Sequence, residues 1–163
     1  MRARCGLVVV GLVVLGLGCG GSSGGSNNND NTTPDAGDLI TCQNDPRVMN
    51  YASGLTVTST SGSHKYVLLT SDPAPPARGN DTWTIKITDA QGNALSGLSA
   101  SVLPFMPDHG HGTSVNASIS ANSDGTYTVT PLYFFMPGVW RISFSVPPTQ
   151  QSDVGNFFFC VPG

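Results

Sequence analysis

From Trp83 to Thr88 the chain alternates strictly: Trp83, Ile85 and Ile87 point one way, and Thr84, Lys86 and Thr88 the other. A period of two places every second side chain on one face of a strand, so this run specifies a half-buried β-strand and cannot form an amphipathic helix. The pattern recurs along the chain. Leu55 and Val57 alternate with threonines, Tyr66 and Leu68 follow a turn at Ser61-Gly62-Ser63, and Trp140, Ile142, Phe144 and Val146 alternate with Val139, Arg141, Ser143 and Ser145. Asn122-Ser123-Asp124-Gly125 is a hairpin turn that directs Tyr127 and Val129 inward, and the proline-rich residues 72–79 read as a loop. Leu98, Ala100 and Val102 are expected to begin a further strand that Pro104 ends, with residues 115–120 and 157–160 supplying others. Seven or eight short antiparallel strands with two inward tryptophans predict an all-β fold, an immunoglobulin-like antiparallel β-sandwich.

The first residues assign a compartment. Arg2 and Arg4 precede an apolar run over residues 7–17 that is too short to span a bilayer comfortably, so residues 1–18 are expected to be a signal peptide. The sequence Leu15-Gly16-Leu17-Gly18-Cys19 resembles a bacterial lipobox, which implies cleavage before Cys19 and its lipidation. Gly16 departs from that pattern, and ordinary cleavage with release of a soluble protein is the alternative. Residues 19–39 combine this cysteine with a Gly, Ser, Asn, Thr and Asp stretch that is too polar to pack, a flexible tether lifting a domain off the membrane. Residues 40–163 are long enough for one domain with one core.

Removing the signal leaves five basic residues against ten aspartates, a formal charge of 5 − 10 = −5. Nucleic acid is therefore not an expected partner, whereas a membrane reached through the lipid anchor, and an envelope protein partner, are. Cys5 is expected to leave with the signal and Cys19 to be acylated. Cys42 and Cys160 remain and are expected to form a disulfide in an oxidising envelope, the alternative being free thiols that bind copper.

The chemistry is concentrated in Met106-Pro107-Asp108-His109-Gly110-His111-Gly112-Thr113, which holds two of the three histidines. Thioether and imidazole donors suit copper. If residues 108–112 are extended, His109 and His111 project to one side and can share an ion, and a sandwich can bring Met136 from a later loop to Met106. The plainer readings are methionines that only fill the core and histidines that only decorate a loop. Asp108 is read first as a turn former, then as a ligand or a partner for an imidazole, and His64 as a solvated strand residue. Asn116-Ala117-Ser118 matches a glycosylation sequon and is discounted in a chain with a bacterial-type lipobox.

The order of Trp83 in its strand, the 89–93 turn, Met106-Pro107 with histidines, Asp124-Gly125-Thr126-Tyr127, and Met136-Pro137-Gly138-Val139-Trp140 resembles the YtkA-like domain family of bacterial envelope proteins. These are immunoglobulin-like sandwiches related in outline to FixH-like and CopC-like modules. The family loop usually runs Met-Pro-x-Met-Gly-His. Met106 and His111 match it, His109 stands where a second methionine is usual, and Met136 matches the methionine of Met-x-Gly-x-Trp. Imidazole in place of thioether moves the donor set from one suited to Cu(I) toward one that also takes Cu(II) or zinc.

An enzyme is not expected. The chain has no glutamate, no serine in a nucleophile elbow and no free cysteine once Cys42 and Cys160 pair. The expected function is a non-catalytic, membrane-anchored envelope lipoprotein that binds copper, or zinc, through His109, His111, Met106 and Met136 for metal handling or delivery. The alternative is a structural or protein-interaction module without metal. Protons compete for imidazole nitrogens, so metal binding is expected to weaken below about pH 6.

Overall fold

A computed structural model describes residues 42–147 and 153–163. The expected signal peptide, Cys5, the lipidation residue Cys19 and the tether lie outside the described residues. Among the described residues nine strands follow one another: β1 Leu55–Thr58, β2 His64–Asp72, β3 Gly79–Asp89, β4 Ser101–Met106, β5 His111–Gly112, β6 Ser118–Ala121, β7 Tyr127–Phe134, β8 Gly138–Ser145 and β9 Val154–Val161. They form two antiparallel sheets, one ordered β1-β2-β3-β7-β6 and the other β5-β4-β8-β9. The all-β sandwich expected from alternation is therefore the fold. The two-residue β5 takes the count beyond seven or eight.

The alternating residues meet between the sheets. Trp83, Ile85, Ile87, Tyr66, Leu68, Tyr127 and Val129 of one sheet face Trp140, Ile142, Phe144, Phe157 and Phe159 of the other, and all are buried. Trp83 meets Phe157 and Phe159 edge-on at ring separations of 6.0 and 5.5 Å, and Tyr66 stacks on Phe144 at 5.5 Å. Offset and edge-on arrangements are the favoured aromatic geometries, so this centre contributes more than its buried area alone.

Pro104 does not end its strand. β4 continues through it, pairing Pro104 with Ile142 and Phe105 with Arg141 of β8. The Met106 carbonyl accepts from the turn on the β5 side, and residues two apart on a strand direct their backbone groups to the same edge. Pro104 therefore turns its missing N–H to that edge, where β5 has already stopped pairing at Gly112. Leu98 and Ala100 pack on the core but lie before β4, in a connection bound to the Tyr127 hydroxyl instead of a ladder. That hydroxyl donates to the Leu95 carbonyl at 2.8 Å and accepts from the Leu98 N–H at 3.0 Å. β6 is shorter than residues 115–120 suggested, and β9 longer than 157–160.

Cys42 and Cys160 are bridged, with Cα atoms 5.4 Å apart, which removes the reading of them as free thiol ligands. Cys160 lies on β9, an edge of the four-stranded sheet. The segment after Cys42 lies along that edge, and the Met49 N–H donates to the Phe158 carbonyl at 2.9 Å. Covering an edge strand in this way blocks pairing with other chains.

Candidate functional site

The histidine loop is the tip of the β4–β5 hairpin. Met106 and His111 stand directly opposite one another across the two strands. Between them the chain is a turn, so the condition of an extended 108–112 run is not met: the N–H groups of His109 and Gly110 both donate to the Met106 carbonyl, at 3.3 and 2.9 Å. Gly110 carries φ of 71°, which a side chain would resist. The turn still brings the imidazoles together, their ring centres 5.6 Å apart and nearly perpendicular. His109 is exposed and His111 half-buried.

Opposite cross-strand partners direct their side chains to the same face, so His111 shares a face with Met106, which is fully buried. The second predicted element reaches this place from the β7–β8 connection, which passes from one sheet to the other. The His111 ring lies 5.6 Å from Phe135, and the Met106 methyl stands 2.7 Å from the position a Cβ on Gly138 would take. The Trp140 indole donates to the Met136 carbonyl at 3.0 Å, and Phe134 and Phe135 pack on the indole at 5.2 and 5.7 Å. The Met-x-Gly-x-Trp pattern thus has a physical reading. Trp140 fixes the bend, Gly138 admits Met106, and Met136 is carried half-buried against the core.

Asp108 has the turn role given first place in the sequence, together with a partner the sequence does not reveal. The Arg47 guanidinium donates to both its carboxylate oxygens, at 2.9 and 2.7 Å, and this pairing holds the Asp108 carboxyl below the usual carboxylate range. The same guanidinium donates to Asp45 at 2.8 and 2.6 Å, which draws the Asp45 carboxyl down to about 2. Arg47 and Phe135 are the neighbours of the loop that sequence reasoning missed. Phe135 sits beside Met136 in an aromatic run, a usable hint, whereas nothing local couples Arg47 to a residue 61 positions on.

His64 is further from solvent than expected. Its Nδ1 is buried without a hydrogen bond, 4.0 Å from Asp153, while Asp153 accepts from the Ser61 N–H and hydroxyl at 2.7 and 2.8 Å. Ser61 bonds to the carboxylate and not to the imidazole, so the three are not arranged as a nucleophile, base and orienter. Among the described residues, three or more His, Cys, Asp or Glu side chains nowhere gather in a metal-binding group.

No curated protein matches the sequence. Among solved structures, the crystal structure of FetP from uropathogenic E. coli strain F11, recombinantly expressed in the periplasm, is similar at 14% identity and a TM-score of 0.43, covering 69% of this chain and 96% of that one. The sequence pattern of the YtkA-like family matches residues 60–145, from the turn before β2 to the end of β8, and so includes both the histidine loop and the Met136 to Trp140 bend. This chain belongs to the YtkA-like family.

Proposed function

We propose that this YtkA-like sandwich is a non-catalytic, membrane-anchored domain of the bacterial envelope that binds a transition metal, copper foremost and zinc as the alternative ion. Its ligands would be His109 and His111, with the thioethers of Met106 and Met136 completing the set. The observation that carries the reading is the meeting of the two imidazoles, 5.6 Å apart, with His111 directly opposite Met106 and His109 in the turn between them. Two imidazoles with one or two thioethers form a borderline-to-soft donor set that fits copper and tolerates zinc. The metal would supply the redox or Lewis-acid chemistry of a copper-handling protein, and the chain's own part is to hold the donors at the hairpin tip, where the His111 ring lies 5.6 Å from Phe135. Lipidation at Cys19 would keep the domain at a membrane, within reach of an envelope partner that gives or takes the ion.

Titration of the soluble domain with Cu(I), Cu(II) and Zn(II), repeated on the His109→Ala, His111→Ala double variant, tests this. The expected result is binding tighter than about 1 μM that the variant loses. No such binding, or equal binding by the variant, refutes it. One observation favours the second reading, a protein-interaction module. Phe135 is 37% exposed beside His111, and Tyr133 stacks against it, giving the loop an apolar flank.

A further inference from the structure

The histidine loop is tied to a stretch of chain that begins at the disulfide. The Cys42–Cys160 bridge fixes the start of that stretch against β9, and the Met49 N–H to Phe158 carbonyl bond fixes its end. Between these two anchors Arg47 is oriented before it reaches the loop. Its own backbone N–H and its Nε both donate to one Asp45 oxygen at 2.8 Å, and a terminal nitrogen donates to the other at 2.6 Å. The remaining edge of the guanidinium meets both oxygens of Asp108, the residue immediately before His109.

An isolated exposed ion pair contributes little, because ordering two side chains costs about what the attraction returns. Here Asp45 and the two anchors have already ordered the arginine, and the planar fork fits the Asp108 carboxylate with two parallel bonds. The link also spans elements that share no sheet register, so nothing in the β4–β5 ladder supplies it. We propose that Arg47 is a positioning residue: through Asp108 it holds the 107–110 turn in the conformation in which His109 meets His111. The purpose given to that conformation rests on the metal-binding reading, whereas the positioning itself does not.

Three readouts on the disulfide-bonded protein test the proposal: nuclear Overhauser contacts between the two imidazoles without metal, amide exchange at His109 and Gly110, and zinc affinity. Wild type is compared with Arg47→Ala, Arg47→Lys and Asp108→Asn, the last leaving the Arg47 to Asp45 contacts in place. Arg47→Ala and Asp108→Asn are expected to lose the ring contacts, to speed exchange at both amides, and to weaken zinc binding about 10-fold or more, the usual effect of removing a residue that orients a ligand. Arg47→Lys, which keeps the charge without the fork, is expected to restore part of each. Retained ring contacts and unchanged exchange in both Arg47→Ala and Asp108→Asn overturn the proposal. If wild type binds no zinc while the ring contacts still depend on Arg47, the positioning role stands and the metal-binding reading falls.

Discussion

The terminal methyl of Met106 occupies the space beside Gly138, 2.7 Å from where a Cβ would stand, so the two parts of the family pattern are locked into one another. Gly138 also has φ of 132°, a backbone conformation that side chains resist. Gly138→Ala therefore adds a strained backbone to an overpacked contact. The expected loss of unfolding free energy is about 2 to 4 kcal/mol, measured by denaturant titration. A variant as stable as wild type would show that Met106 has room to move aside.

The disulfide joins two residues 118 positions apart in the sequence. Loop entropy alone assigns such a bridge about 4 to 5 kcal/mol. Reduction, or the Cys42→Ala, Cys160→Ala double variant, is expected to lower stability by that order. Two alkylatable thiols found without reductant by mass spectrometry would contradict the bridge itself.

Tyr127 is inward by alternation, and its hydroxyl helps hold the 95–98 connection, accepting from the Leu98 N–H and donating to the Leu95 carbonyl, beside the Leu95 N–H bond to the Ile87 carbonyl. Tyr127→Phe keeps the ring and strips both bonds. A loss of about 1 to 3 kcal/mol is expected, with faster amide exchange at Leu98. No change at Leu98 would show that water replaces the hydroxyl.

Asp81 is fully buried and neither carboxylate oxygen has a hydrogen-bond partner. Polar groups of Ala77, Trp83 and Ser71 face it without closing a bond, and Asp72 adds repulsion, but burial is the main cause that pushes its pKa up to about 7. The folded chain therefore keeps a proton that the unfolded chain releases near the ordinary aspartate range of about pH 4. The stability this gives is fully present below about pH 4 and is lost as pH rises toward 7. Unfolding free energy should fall across that window by on the order of a few kcal/mol, and Asp81→Asn should flatten the profile. The carboxyls of Asp45, Asp89, Asp108, Asp124 and Asp153 are shifted down, so they act below the window. A rise in stability from pH 4 to 7 would contradict the assignment.

The sandwich was legible because its core residues obey a period of two: Trp83, Ile85 and Ile87, and Trp140, Ile142 and Phe144, are buried on the faces their alternation predicts. Strand ends were less legible. Pro104 reads as a breaker until the sheet edge its nitrogen faces is known, and edge position is a property of the whole fold. In the loop, the residues were legible but their conformation was not. A Gly110 in the left-handed region turns what reads as an extended His-x-His into a bend, and the imidazoles meet by a different route. Arg47 and Asp108 carry no mutual signal, because their contact depends on the disulfide and β9 bringing distant chain together.

If His109 and His111 hold the ion as proposed, nitrogen-detected NMR of the histidine side chains during addition of one equivalent of Cu(I) reports it at the ligand atoms themselves. His64, half-buried beside Asp153, is an internal control. Large shifts of both the His109 and His111 ring nitrogens are expected, complete at one equivalent, with His64 unmoved. Shifts at His64 alone, or none at His109 and His111, would contradict it.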